Sequence, residues 1–193
     1  MIGCVLLAGY PAAGKSTTTR AVLGQLHECP TFFKAGLVSG FQYTVARVIV
    51  LGDYDASLTF PGTDKLSMAV QPDFNAMLDR WRDDSDHHGQ VLLFEGDRLC
   101  NSSSLKRIIE LQLPWAGFVL TASNEAISSR HSTRDNQNAT WIAGRVTKVN
   151  NLVSAYNLQP LTNSTPIDTL RNAATLLQAV KGVQFAINQG VGQ

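Results

Sequence analysis

A continuous apolar run, Ile2 to Ala8, leads without a break into Gly9-Tyr10-Pro11-Ala12-Ala13-Gly14-Lys15-Ser16, and no other feature restricts the fold of this chain as strongly. An uninterrupted apolar run closed by glycine is a strand buried on both faces, the kind a parallel sheet requires. The residues that follow match G-x-x-x-x-G-K-[ST] in full. Gly9 and Gly14 permit a wrap in which backbone N–H groups turn inward on phosphate oxygens. Lys15 is spaced to reach the β- and γ-phosphates of a nucleotide, and the Ser16 hydroxyl to ligate Mg²⁺. The helix expected from Thr17 adds its positive end. Gly9 through Thr17 are therefore the expected nucleotide-binding residues, with ATP and Mg²⁺ as cofactors.

The rest of the chain repeats that alternation. Thr17–Leu26 reads as a helix with Ala21, Val22 and Leu26 toward a sheet. Thr44–Leu51, rich in β-branched residues, reads as the second strand, and Phe32–Val38 as a further short one. A helix starting at Pro72-Asp73 carries Phe74, Met77, Leu78 and Trp81. Val91–Phe94 is a third strand. Ser102–Ser104 can cap a helix that carries Leu105, Ile108 and Ile109. Trp115–Thr121 is a fourth strand, followed by a helix over Asn124–Arg134. A long helix then places Ile142, Val146, Val149, Val153 and Tyr156 on one face, and a last helix after Pro166 carries Leu170, Ala173, Ala174 and Leu177. Strands alternating with helices predict an α/β fold of three layers, with a mostly parallel central sheet and helices on both faces. One domain over residues 1–193 is expected, because 44% hydrophobic residues suffice for one sizeable core. In such sheets ligands sit beyond the carboxyl ends of the strands, where the polar clusters of this chain fall.

Three of those clusters carry chemistry. Glu95 and Asp97 close the third strand, where carboxylates organise Mg²⁺ and its waters, with Arg98 beside them as an ion-pair partner or substrate contact. Asp53 and Asp55 flank Tyr54 past the second strand; either can take the proton of an attacking hydroxyl, and Asp55, reaching further from the sheet, is the preferred base. Asp64 is a weaker rival for the base or, with Lys65, a substrate contact. Arg130 and Arg134, four apart on one helical face, are placed to fold over the nucleotide as a lid of about residues 129–145 and to stabilise charge on the moving phosphoryl group. Arg145 and Lys148 extend that clamp or hold an acceptor phosphate. His87, His88 and His131 have no metal-ligand spacing and read as surface residues, and Trp81 and Trp141 as core.

Composition narrows the function classes. Lys and Arg number 16 against 15 Asp and Glu, a net charge of +1, which argues against a protein that coats nucleic acid. No window approaches the length of apolar chain a membrane helix needs. The N-terminus lacks a basic region, so no signal peptide is expected, and three cysteines without C-x-x-C spacing suit a reducing cytoplasm.

In layout, residues 1–157 resemble the P-loop kinases of the thymidylate kinase and polynucleotide kinase kind. Within that group the chain is most similar to the bacteriophage kinases that phosphorylate 5-hydroxymethyluracil in DNA. Four segments carry the likeness: Leu51-Gly52-Asp53-Tyr54-Asp55, Gly62 through Pro72 (Gly-Thr-Asp-Lys-Leu-Ser-Met-Ala-Val-Gln-Pro), Leu93 through Leu99 (Leu-Phe-Glu-Gly-Asp-Arg-Leu) and Gly144-Arg145-Val146-Thr147-Lys148. The resemblance implies transfer of the γ-phosphate of ATP to the hydroxymethyl oxygen of the modified base, a step in thymidine hypermodification of phage DNA. DNA containing that base is then the partner and the host cytoplasm the compartment. Such an enzyme needs an extruded or single-stranded base and a basic groove. Lys34, Arg47, Lys65, Arg98 and Lys106 are candidates for the groove, and Phe41, Tyr54 and Phe60 for a ring that stacks on the base. A small-molecule nucleoside, nucleotide or sugar kinase is the first alternative, favoured by the neutral balance. A nucleotide-binding switch ATPase is the second, disfavoured by the Glu-Gly-Asp-Arg strand end.

Overall fold

The computed structural model describes residues 1–55, 57–58, 61–132 and 138–190. Phe60 and Arg134, named above, lie outside the described residues.

Strand β1 (Gly3–Gly9) is buried along its whole length. It is flanked by two parallel neighbours, β5 (Val91–Glu95) and β6 (Trp115–Thr121). Its side chains alternate between two cores, as a pleated strand demands. Ile2, Cys4, Leu6 and Ala8 face one layer, built from helices α2 (Val70–Trp81), α3 (Ser102–Glu110) and α5 (Ala139–Tyr156). Val5 and Leu7 face the other, built from α1 (Lys15–Leu23) and α6 (Pro166–Asn188). The expected three layers are present.

The seven-stranded sheet has the order β2-β3-β4-β5-β1-β6-β7. β4 (Val48–Leu51), β5, β1, β6 and β7 (Gln159–Thr162) run parallel, and β2 (Thr31–Ala35) and β3 (Val38–Tyr43) add an antiparallel hairpin at one edge. From β1 the chain travels through α1 toward β4, whereas from β6 it travels through α4 (Asn124–Ser132) and α5 toward β7 on the other side. Neighbouring strands whose connections leave in opposite directions open a crevice at their carboxyl ends. Gly9 and Thr121 border it.

Several expectations need correction. The second strand begins at Val48, because Thr44–Arg47 is a turn: Glu28 accepts hydrogen bonds from the N–H groups of Val45 and Ala46 at 2.8 Å each, and Arg47 is left-handed. β-branched residues there mislead, since their carboxylate cap outweighs their strand preference. Phe32–Val38 spans one strand and the tight turn at Gly36 (φ +61°) into the next. β7 is missing from the sequence reading because it has only four residues and contains Pro160, which an edge position tolerates. Helix α1 starts at Lys15, its first turn closed by Thr18 N–H donating to Gly14 O at 2.9 Å, and it stops at Leu23. Asn101, not a serine, caps α3 by accepting from Ser104 N–H. In α6 the buried face is Ala173, Leu176, Val180, Val183 and Ile187, and Leu170 is 59% exposed. Ala174 is exposed too, because α6 lies against α1 and β1 by the stripe that starts at Ala173. Trp141, expected in the core, is 43% exposed. His87 is half-buried, stacked on Trp81.

Candidate active site

The chain from Gly9 to Ser16 curls at the end of β1. Ala12 (φ +59°) and Gly14 (φ +94°) are both left-handed, on either side of Ala13. Such a reversal of backbone handedness turns successive peptide N–H groups toward one point, an anion-binding nest. A side chain at Gly14 would collide with the Asn163 amide, so the position demands glycine twice over. Lys15 curls back over the loop, its Nζ donating to Gly9 O at 3.0 Å and Tyr10 O at 3.1 Å. Behind the loop, Arg130 donates from Nη1 to Ala12 O (3.2 Å) and Ala13 O (3.1 Å), and from Nη2 to Asn163 O (2.8 Å). Asn163, buried at 1% exposure, donates from Nδ2 to the same Ala13 O at 2.8 Å. Arg130 therefore meets the loop through its carbonyls. Asn163 escapes sequence reading, because nothing in Thr-Asn-Ser marks a residue whose partner lies 150 positions earlier.

Glu95 comes from the neighbouring strand. It is 3% exposed and accepts from Ser16 Oγ at 2.9 Å. Burial pushes its carboxyl up from the usual 4.5 to about 7; the Lys15 ammonium and the Ser16 hydroxyl pull the other way, and Asp64 adds to the rise. Asp97, two residues on, is paired with Arg145. The strand end thus splits its two carboxylates: Glu95 goes to the phosphate loop and Asp97 to α5. The Arg145 guanidinium lies 4.9 Å over the Trp141 ring, which makes that exposed indole part of the same rim. Tyr10 Oη donates to Asn150 Oδ1 at 2.7 Å, which ties the Gly9–Ser16 loop to α5 as Asp97 ties the end of β5.

The segment after β4 closes the third side. Asp53 N–H donates to Gly62 O at 3.1 Å and Gly62 N–H returns the bond to Asp53 O. Ser16 lies 3.3 Å from Pro61 O, and the α-carbon of Gly62 rests so close to Glu95 Oε1 that no side chain fits between them. Thr63 Oγ1 donates to Glu95 O at 2.6 Å. Asp53 is thereby tied to the Ser16–Glu95 pair. Asp55 is exposed, and its carboxylate accepts from Ser57 N–H and Ser57 Oγ, both at 2.7 Å, which holds it below its ordinary range. Arg20 donates to the carbonyls of Tyr54 and Asp55 at 3.1 and 2.8 Å. Tyr54 is buried, with its hydroxyl on Leu51 O, so its ring is not offered to the cleft. Asp64 and Lys65 are exposed on a single 3-10 turn, Thr63–Lys65. Arg98 is half-buried, and its Nη1 has no hydrogen-bond partner among the described residues. Of the proposed groove, Arg47 sits beside Val91 at the start of β5, the opposite end of the sheet.

This donor set suits magnesium. Among the described residues no cluster of three or more His, Cys, Asp or Glu side chains forms a cage. Mg²⁺ asks for less: one hydroxyl, one carboxylate, phosphate oxygens and waters. Ser16 and Glu95 would supply the protein's share. A cation beside Glu95 also favours its ionised form.

No protein-family model matches the chain, and no curated protein matches it in sequence. Among solved structures it superimposes on an unliganded sugar kinase from Janibacter sp. HTCC2649, at 15% identity and a TM-score of 0.47, over 95% of this chain and 98% of that one. No helix is long and apolar enough to cross a membrane among the described residues.

Proposed function

We propose that this protein is a Mg²⁺- and ATP-dependent kinase acting on an alcohol, and that the alcohol is the hydroxymethyl oxygen of 5-hydroxymethyluracil in DNA. The observation that carries the kinase reading is the meeting of Lys15, Ser16 and buried Glu95 beside an anion nest at the switch point of the sheet. Mg²⁺-ATP, when bound, brings the transferable phosphoryl group and the counter-charge on its oxygens. Lys15 would then leave the carbonyls of Gly9 and Tyr10 for the phosphates, and Ser16 and Glu95 would hold the metal. Asp53 takes the hydroxyl proton as the acceptor oxygen attacks phosphorus; the new O–P bond replaces the bond to the leaving diphosphate. What favours Asp53 over Asp55 is its backbone pair with Gly62 against Glu95; its carboxylate accepts one turn hydrogen bond, from Asp55 N–H at 3.1 Å, where that of Asp55 accepts two from Ser57 at 2.7 Å.

Support for a base as acceptor is the likeness of the four segments named above, together with Trp141. That ring is exposed on the rim carrying Asp97 and Arg145, and a flat exposed indole stacks on a base whatever its sequence context. The net charge of +1 and the remote position of Arg47 favour a second reading, a small-molecule kinase. Labelled ATP offered with hydroxymethyluracil-containing DNA, with the free nucleoside and with a panel of sugars separates them. Label on DNA is the expected result, and label confined to free nucleoside or sugar overturns the DNA acceptor while keeping the kinase.

A further inference from the structure

We infer that Asn163, acting together with Arg130, is a positioning residue that aims the Gly14 amide at the phosphates of the nucleotide; this rests on the kinase reading above. Across a trans peptide the C=O of one residue and the N–H of the next point in opposite directions. Ala13 O is gripped from behind the loop by two donors, Asn163 Nδ2 at 2.8 Å and Arg130 Nη1 at 3.1 Å. The Gly14 N–H must therefore point away from that clamp. Gly14 alone would not hold this direction, since glycine is the residue whose peptide planes turn most freely.

The clamp is itself held. Ala13 O can only accept, so Nδ2 is the end of the side-chain amide that faces it, and Asn163 Oδ1 on the other side accepts from Thr169 Oγ1 at 2.7 Å. Asn163 N–H donates to Thr121 O at 2.8 Å, fixing the residue to the last position of β6. Arg130 Nη2 closes the circuit on Asn163 O. Asn163 is buried, so an amide there that did not bond Ala13 O would leave a polar group unsatisfied. One face of the phosphate loop is thus braced from two elements, α4 through Arg130 and the β7–α6 junction through Asn163.

The test uses the full chain and reads binding as well as turnover. Asn163→Ala should weaken ATP about tenfold, the worth of one oriented hydrogen bond, while the KM of the phosphoryl acceptor stays put. The Gly14 amide resonance should shift in the nucleotide-free protein, a change that a fold defect elsewhere would not confine to the loop. Thr169→Val leaves the Asn163 amide in place without its orienting partner and should act in the same direction, more weakly; it covers the case in which Asn163→Ala fails to fold. Because Asn163 and Arg130 grip one carbonyl, Asn163→Ala and Arg130→Ala combined should depart from additivity in ATP affinity. Normal ATP affinity and an unmoved Gly14 resonance in both folded Asn163→Ala and Thr169→Val overturn the inference, with the kinase reading untouched so long as Lys15→Ala loses nucleotide. Wild-type protein that binds no nucleotide overturns both.

Discussion

The two sides of the cleft are built from different material. On the side proposed for phosphate, the candidate binding groups are backbone amides, in a loop with left-handed residues whose Ala13 carbonyl accepts from a buried asparagine and an arginine. On the acceptor side, the candidate groups are side chains on loops: Asp53, Asp55, Asp64 and Lys65 lie between β4 and α2, and their neighbours in the chain are turns. The phosphate side is held in place before any ligand arrives. The acceptor side spends its carboxylates on its own turn, as Asp55 does on Ser57, and must re-form contacts when a substrate enters. Triphosphate tails are alike in all users of nucleotides, whereas acceptors differ, and loops on a rigid scaffold are where such differences are carried.

If that division is right, the greatest loss follows from removing charge on the phosphate side. Lys15→Ala should lower kcat by about 10³ and weaken ATP as well, because one ammonium serves both ground and transition state. Isothermal titration beside a phosphoryl-transfer assay reads both, and unimpaired turnover would break the phosphate-side assignment. Next comes Asp53→Asn, expected to cost about 10² to 10⁴ in kcat with ATP affinity kept, the signature of a lost general base. Asp55→Asn should cost far less, since two short bonds from Ser57 hold its carboxylate, against one of 3.1 Å on Asp53, and it lacks the backbone pair with Gly62. The reverse ranking would restore Asp55, the residue preferred on reach alone.

This asymmetry also governs what could be read from the sequence. Gly9 through Ser16 was legible because a backbone site needs glycines at fixed offsets and a strand before it, both visible locally. Glu95 was legible as the residue closing an apolar run. Asn163 was not, because what ties it to the loop is a hydrogen bond to a residue 150 positions away, with no local pattern to announce it. Extended-chain geometry ranks Asp53 and Asp55 by reach alone and has no access to the pairing of Asp53 with Gly62, which joins two loop segments across a turn. Trp141 reads as core by composition, yet its helix turns it outward under Arg145. Periodic burial predicts layers well, and specific long-range partners poorly.

Glu95 lies where the two sides meet and gives the comparison a pH axis. Its carboxyl titrates near 7 in the folded protein against 4.5 when exposed, chiefly through burial. A proton bound more tightly in the folded state stabilises it; this contribution is full below pH 4.5 and is lost as pH rises through 7. The gap corresponds to about 3 kcal/mol. In chelator, wild-type protein should therefore lose urea stability between pH 5 and 8 more steeply than Glu95→Gln, which keeps a neutral partner for Ser16 at every pH. Parallel curves for the two proteins would show that Glu95 is ionised and solvated, and the phosphate side less closed than its burial implies.

Trp141 provides the smallest and most discriminating effect. Stacking a base on an exposed ring is worth about 1–3 kcal/mol by alanine substitution, so Trp141→Ala should raise the acceptor KM about tenfold with kcat and ATP affinity little changed. Trp141→Phe keeps a π-face and should recover most of the loss. Arg145 is held by Asp97, so Arg145→Ala removes both the cation over the ring and its tether, and should resemble Trp141→Ala in direction. Steady-state kinetics with oligonucleotides of equal length and different sequence would read all three. A rise in KM that depends on the flanking sequence argues for hydrogen-bond readout elsewhere on the acceptor loops, since every base presents a face to stack and the loss through Trp141 should be uniform. An unchanged KM in Trp141→Ala removes the aromatic argument for a base and leaves the acceptor side to Asp64, Lys65 and Arg98, polar groups suited to a sugar or another small hydroxyl compound.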